Sequence, residues 1–184
     1  MFTEKTSARK HYLRLRADIS DREQKEKALS QLLLSYLMQR EFSSVMLYLA
    51  IGSEAETKDV IDCLVNRGVS VWLPHTTKEG RIIPAPFVGW NDLTDGPFRT
   101  RQPSVDEKIP FHCDAVVVPG VSFDLCGNRL GYGKGCYDAF LAGFSGEKIG
   151  FCFSQQIGIF PTQTHDKTMD VLVTENGVVC VKRG

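Results

Sequence analysis

Apolar residues along the chain recur in two periods, and the changes of period mark the elements. Residues 7–19 and 21–39 read as two helices. In the second, Leu29, Leu32, Leu33, Tyr36 and Leu37 are spaced by threes and fours and give one apolar face. Ser20-Asp21 supplies N-cap chemistry between the helices, and Glu23 reinforces the start of the second. The run Val45 to Ala50 predicts a buried strand. Residues 57–67 return to helical spacing, with Val60, Ile61, Leu64 and Val65 as the stripe and Gly68 as the stop. Val69 to Leu73 predicts a second strand, ended by Pro74. Strand, helix and strand in so short a span form a βαβ unit, which implies parallel pairing.

Residues 76–110 hold five prolines and only short apolar pieces, which predicts a loop-rich region with one or two edge strands. Order returns with the strand Ala115 to Pro119. A glycine-rich segment follows, then a helix near 135–144 and a strand over Lys148 to Phe153. Asp170 to Thr174 and Val178 to Val181 predict a last strand or a hairpin around Asn176-Gly177, a favoured turn pair. The alternation predicts an α/β fold: an open, mainly parallel sheet with helices on both faces. No repeat or linker interrupts it, so residues 1–184 read as a single domain.

Composition narrows the function classes. A chain of 184 residues can bury one sizeable core without disulfides or a structural metal. Lys plus Arg and Asp plus Glu are 22 each, a net charge of zero, which argues against a dedicated nucleic-acid binder. The six cysteines include no CxxC pair, as a zinc site or redox dithiol would show, and read as reduced thiols of a cytoplasmic protein. No apolar stretch approaches membrane-spanning length, and the N-terminus lacks a secretory signal's apolar segment.

The candidate chemistry lies in Gly127-Asn128-Arg129-Leu130-Gly131-Tyr132-Gly133-Lys134-Gly135-Cys136-Tyr137-Asp138, between a strand and a helix. Alternate glycines let the backbone approach a ligand closely. N–H groups in such a loop, before a helix N-terminus, form an anion site. Arg129 and Lys134 add full charges. The features suit a polyphosphate, although the segment is neither GxxxxGK[ST] nor GxGxxG. A plain connecting turn is the other reading.

The run Val117 to Asp124 together with Gly127 to Asp138 resembles the signature of the 5-formyltetrahydrofolate cyclo-ligase family. Ile149-Gly150-Phe151, Gln155, Pro161, His165-Asp166, Asp170 and Thr174-Glu175 continue the resemblance in order and spacing. Upstream, Tyr48 to Thr57 is similar to the family's substrate segment and Lys10-x-x-x-Arg14 to its N-terminal ATP site. The chain differs from the family pattern at Cys136, where an aromatic is usual, and at Ala139, where an arginine is usual.

The resemblance implies a sheet related to sugar-phosphate isomerases and CoA transferases. It also implies ATP- and Mg²⁺-dependent closure of 5-formyltetrahydrofolate to 5,10-methenyltetrahydrofolate, with ADP and phosphate released. Lys10, Arg14 and residues Arg129 to Tyr137 would bind ATP. Lys134, Arg129 and Tyr137 would carry the chemistry. Leu49, Glu54, Phe98, Tyr132 and Tyr137 would contact the folate, and Asp138 and Asp166 would hold magnesium.

Without the family, Lys10 and Arg14 read as a solvated helix surface and Asp138 as a first-turn carboxylate favoured by the helix dipole. Asp166 reads equally as a turn aspartate, and Glu54 and Glu56 are not distinguished. His165 is a weak candidate for proton transfer. The implied partner is a reduced folate, mono- or polyglutamylated, with neither nucleic acid nor membrane, and the chain a monomer or small homo-oligomer. A non-catalytic folate- or nucleotide-binding protein on the same fold is the alternative. A sugar-phosphate or CoA enzyme is a third reading, which leaves the Lys10–Arg14 pair unexplained.

Overall fold

The computed structural model describes residues 2–97, 100–106, 108–164 and 166–181. Two helices, α1 (Lys5–Ala17) and α2 (Arg22–Gln39), precede strand β1 (Ser44–Met46), helix α3 (Lys58–Asn66) and strand β2 (Ser70–Thr76). The proline-rich region contains β3 (Ile82–Pro86), β4 (Thr94–Asp95) and β5 (Arg101–Gln102). Next come β6 (Ala115–Val118), β7 (Ser122–Phe123), β8 (Arg129–Leu130), α4 (Cys136–Ala142), β9 (Glu147–Phe151), β10 (Val171–Thr174) and β11 (Gly177–Cys180).

Seven strands form one sheet in the order β11-β10-β9-β6-β1-β2-β3. The five inner strands are parallel, and β3 and β11 pair antiparallel at the two edges. Alternate residues of these strands enter two cores. Val45, Val71, Ala115, Val117, Ile149 and Val173 meet Leu29, Leu33 and Leu37 of α2 and Val60, Ile61 and Leu64 of α3. Met46, Trp72, Val116, Val118 and Leu172 meet Leu141 of α4 on the opposite face. Burial of each Val, Leu, Ile or Met side chain among these contributes about 1.5–3 kcal/mol. Helices therefore cover both faces, and the sheet is mainly parallel, as the periodicity predicts. Val65, the fourth residue of the α3 stripe, is 43% exposed. Ala8 and Tyr12 of α1 join Val121, Leu130 and Phe160 in a third, smaller cluster.

Four local expectations change. Pro74 does not end the second strand, which runs on to Thr76. Phe87 N–H bonds to the Val71 carbonyl and Thr77 N–H to that of Arg81, both at 2.9 Å. Pro74 therefore faces Pro84 at a non-hydrogen-bonded pair, where neither strand needs an N–H. On its other side Pro74 has no donor to extend the β1 ladder, which closes with Leu47 N–H on the Trp72 carbonyl at 2.9 Å. The chain leaves the sheet there, so β1 is shorter than its apolar run.

At the start of α2, Asp21 occupies the N-cap position in the left-handed region (φ 51°) and its carboxylate makes no capping bond. The last hairpin turns on Glu175-Asn176, one residue early, with Thr174 opposite Gly177. Ser154 holds Glu175 there by its N–H (2.7 Å) and hydroxyl (2.6 Å).

Candidate active site

The order of the parallel strands reverses between β1 and β6. From β1 the chain proceeds to β2 on one side, and from β6 to β9 and β10 on the other. In such sheets the crevice beyond the carboxyl ends of the strands at this switch point is where ligands bind. A cavity of about 380 Å³ opens there. It is lined by the segments that follow β1 and β6, by residues 129–138, by the β2–β3 edge and by one face of α1.

The post-β1 wall is buried and pinned. Tyr48 hydroxyl donates to the Ala55 carbonyl at 2.9 Å, and the Thr57 hydroxyl donates to the Tyr48 carbonyl. Glu54, only 5% exposed, accepts from Ile51 N–H at 3.0 Å and from the Tyr132 hydroxyl at 2.8 Å. Burial raises the Glu54 carboxyl above its ordinary value; these two bonds and the Arg16 charge draw it part of the way back. Burial and the Glu54 charge push the Tyr132 phenol up to about 12, so it keeps its proton to donate. Arg22 braces the wall from behind, donating to the Ser53 and Glu54 carbonyls at 3.0 and 2.9 Å. Glu56 is exposed and accepts from Thr57 N–H at 3.0 Å at the start of α3. Between the two acids left open by the sequence, Glu54 is the one that lines the cavity.

The opposite wall is the glycine loop. Asp124 closes the β7–β8 turn by accepting from the N–H groups of Cys126 and Asn128, each at 2.9 Å, and so launches residues 129–138. Arg129 is 6% exposed. It pairs with Asp138 at 3.1 Å and lies 5.5 Å from the centre of the Tyr137 ring. Its Nε is buried with no hydrogen-bond partner among the described residues. A side chain at Gly131 would come 2.7 Å from this guanidinium, and Gly133 (φ 95°) approaches that of Arg9. A side chain at Gly131 would displace the buried guanidinium, and one at Gly133 would be strained by its positive φ. Burial and the Glu54 charge raise the Tyr137 phenol. Cys136 abuts Gly80 of the β2–β3 turn, and Ala139 is exposed.

Of the residues singled out in the sequence, Leu49, Glu54, all of Arg129 to Asp138, and Asp166 line the one cavity. Phe98 and His165 lie outside the described residues. Lys10 and Arg14 are exposed and neither lines the cavity; Arg14 faces Asp18 at 3.8 Å. Lys5 and Arg9 stand in their place. Lys5 pairs with Asp166 at 2.7 Å, and Arg9 Nε donates to the Gly131 carbonyl at 2.7 Å.

Both Lys-x-x-x-Arg pairs have the same spacing, so spacing alone does not choose. The buried stripe Ala8, Tyr12 and Arg16 does, because Lys5 and Arg9 border it on the helix surface. Ala8 and Tyr12, the apolar members of that stripe, were the available signal. Sequence reading also missed Arg16, Arg22 and the edge residues Pro74, Thr76, Ile82 and Thr100, which carry no motif.

Among the described residues no group of three or more His, Cys, Asp or Glu could hold a metal by itself. The donor set nevertheless suits magnesium: Asp138 and Asp166 offer hard carboxylate oxygens to one cavity. This ion takes one or two carboxylates together with substrate phosphates and water. Across the described residues no helix is long and apolar enough to cross a membrane.

Comparison with known proteins agrees with this geometry. A profile of the 5-formyltetrahydrofolate cyclo-ligase family matches residues 2–175. A 5-formyltetrahydrofolate cyclo-ligase of Haemophilus influenzae is 27% identical over 172 residues, covering 87% of this chain and 92% of that protein. The solution structure of a 5,10-methenyltetrahydrofolate synthetase from Aquifex aeolicus superposes with a TM-score of 0.82 at 31% identity, over 98% of this chain and 94% of that one. A Mycoplasma pneumoniae synthetase shares the fold, with a TM-score of 0.76 at 22% identity. On this evidence the chain belongs to the 5-formyltetrahydrofolate cyclo-ligase family.

Proposed function

We propose that the cavity at the β1–β6 switch point is where this chain, an ATP-dependent ligase of that family, closes 5-formyltetrahydrofolate to 5,10-methenyltetrahydrofolate. The observation that carries the reading is the placement of Arg129, Lys134, Lys5 and Arg9 around one glycine loop, facing a buried carboxylate across the same cavity.

The formyl group on N5 is amide-like, and its oxygen is a poor leaving group. Transfer of the γ-phosphoryl group forms a bond from phosphorus to that oxygen and breaks the bond to ADP. The N10 lone pair then attacks the formyl carbon. The carbon–oxygen bond breaks, phosphate departs with the former formyl oxygen, and N10 loses its proton. Such a transfer asks mainly for positioning and charge stabilisation.

In this reading loop N–H groups, Arg9 and Lys5 hold the polyphosphate, while Lys134 and Arg129 offset charge on the group in transit. The unpartnered Arg129 Nε is answered by a ligand oxygen. Glu54 accepts from the polar edge of the pterin, Leu49 and Tyr132 contact its ring system, and Tyr137 packs between the two substrates. Asp138 and Asp166 would hold magnesium, which neutralises phosphate charge when bound. Residues 1–184 act as one cytoplasmic domain, monomeric or in a small homo-oligomer.

The test mixes the purified chain with 5-formyltetrahydrofolate, ATP and magnesium, following near-ultraviolet absorbance of the methenyl product and ADP release. A rise that needs all three components is expected. No rise, with both ligands shown to bind, would overturn catalysis and leave a binding protein.

A further inference from the structure

Arg16 is 2% exposed, an unusual position for a guanidinium unless its donors are met. Its three nitrogens reach three different segments around the cavity. Nε donates to the Ser53 hydroxyl at 3.0 Å, on the post-β1 wall. One terminal nitrogen donates to the Gly120 carbonyl at 3.1 Å, just after β6. The other donates to the Tyr132 hydroxyl at 2.7 Å, in the glycine loop. That hydroxyl donates its own hydrogen bond to Glu54 at 2.8 Å. A buried cation and a buried carboxylate are thus joined through one phenol, with the direction of donation fixed along the chain. Arg16 is too deeply enclosed to serve as a phosphate ligand, unlike Lys5 and Arg9, and it does not line the cavity.

Tyr132 sits between Gly131 and Gly133, so any shift of the glycine backbone around a phosphate moves its hydroxyl. Glu54 takes a hydrogen bond from that hydroxyl. We propose that Arg16 is a positioning residue that ties the glycine loop to Glu54 through Tyr132, so that occupancy of the nucleotide side sets affinity on the folate side. The inference rests on the assignment of the two sides given above. A coupling between two ligands is reciprocal and typically about fivefold or more. The fork geometry of arginine is what spans three acceptors at once; a lysine ammonium on a flexible stem does not reproduce it.

The experiment measures 5-formyltetrahydrofolate Kd by calorimetry, with and without a non-hydrolysable ATP analogue and magnesium, in the wild type, Arg16→Lys and Tyr132→Phe. In the wild type the analogue is expected to tighten folate binding by at least about fivefold. In both variants the ratio of the two Kd values falls to about one. A purely structural role for Arg16 would weaken both measurements together and leave the ratio as in the wild type. That result, or a wild-type ratio of one, overturns the coupling while leaving the site intact. Folate binding to none of the three proteins would overturn the site assignment and the coupling with it. Tyr132→Phe keeps the ring and the charge of Arg16, so the measurement survives if Arg16→Lys folds poorly.

Discussion

The two walls of the cavity are built on opposite principles. Along residues 129–138 the backbone is the structural material, and Gly133, Lys134 and Gly135 are exposed. The carboxylates on that side meet cations, Arg129 with Asp138 and Lys5 with Asp166. Along residues 48–55 the side chains are the material: Tyr48 and Glu54 are buried, and both Glu54 oxygens are engaged. An open wall of exposed glycine backbone and ion pairs suits a hydrated polyanion. The closed wall presents one acceptor at a fixed angle, which suits a flat heterocycle with a polar edge. On the proposed assignment, binding free energy would be gathered on one side by charge and on the other by preorganisation.

Breaking the open wall should cost most. Lys134→Ala is expected to lower kcat by about 10²–10³-fold, with folate Kd nearly unchanged. Steady-state kinetics alongside folate calorimetry checks this, and an equal loss in both would place the lysine on the folate wall.

Breaking the closed wall comes next. Glu54→Gln should weaken folate binding by about 10–100-fold, the range for a hydrogen bond to a charged group, and leave binding of the ATP analogue alone. Acidity sharpens this. Because burial raises the Glu54 carboxyl above 4.5, the acceptor is lost as pH falls through a value above the ordinary glutamate range. Folate binding to the wild type therefore shows an acid limb displaced upward. That limb vanishes in Glu54→Gln, and its persistence would assign it to another group.

The smallest effect distinguishes two lysines of one helix. Lys5→Ala should raise the Kd of the ATP analogue about fivefold, the order of one partly screened charge contact. Lys10→Ala, an exposed residue, should stay within about twofold. A reversed order would return the nucleotide contact to Lys10.

Much of this molecule is legible in its sequence where burial leaves a period. The α2 stripe and the all-apolar β6 mark the two cores directly, and the motif from Arg129 to Asp138 arrives intact at the cavity. What is not legible depends on direction rather than composition. Pro74 looks like a stop, but hydrogen-bond parity lets the β2–β3 pair continue through it, and only the β1 ladder ends there. Glu54 and Glu56 differ only in which way the 51–57 turn points them. Arg16 has the composition of a surface residue and a core position, because its partners come from segments 37, 104 and 116 residues away. The fold is also divided between motif residues that line the cavity and motif residues that hold scaffold turns, such as Asp124 and Glu175. The pattern of the sequence marks both kinds alike.

Lys5 meets Asp166 across 161 residues of chain. At ribosomal rates of about 5–20 residues per second, roughly 8–30 s separate the synthesis of the two. During that interval α1 carries Ala8 and Tyr12 with their partner Phe160 still unmade, while α2, α3 and the first strands already have each other. The Lys5–Asp166 side of the cavity is accordingly closed late, shortly before β10 and β11 complete the sheet. A nascent chain stalled before residue 160 would hold the glycine loop, but neither Phe160, which packs on α1, nor Asp166, which anchors Lys5.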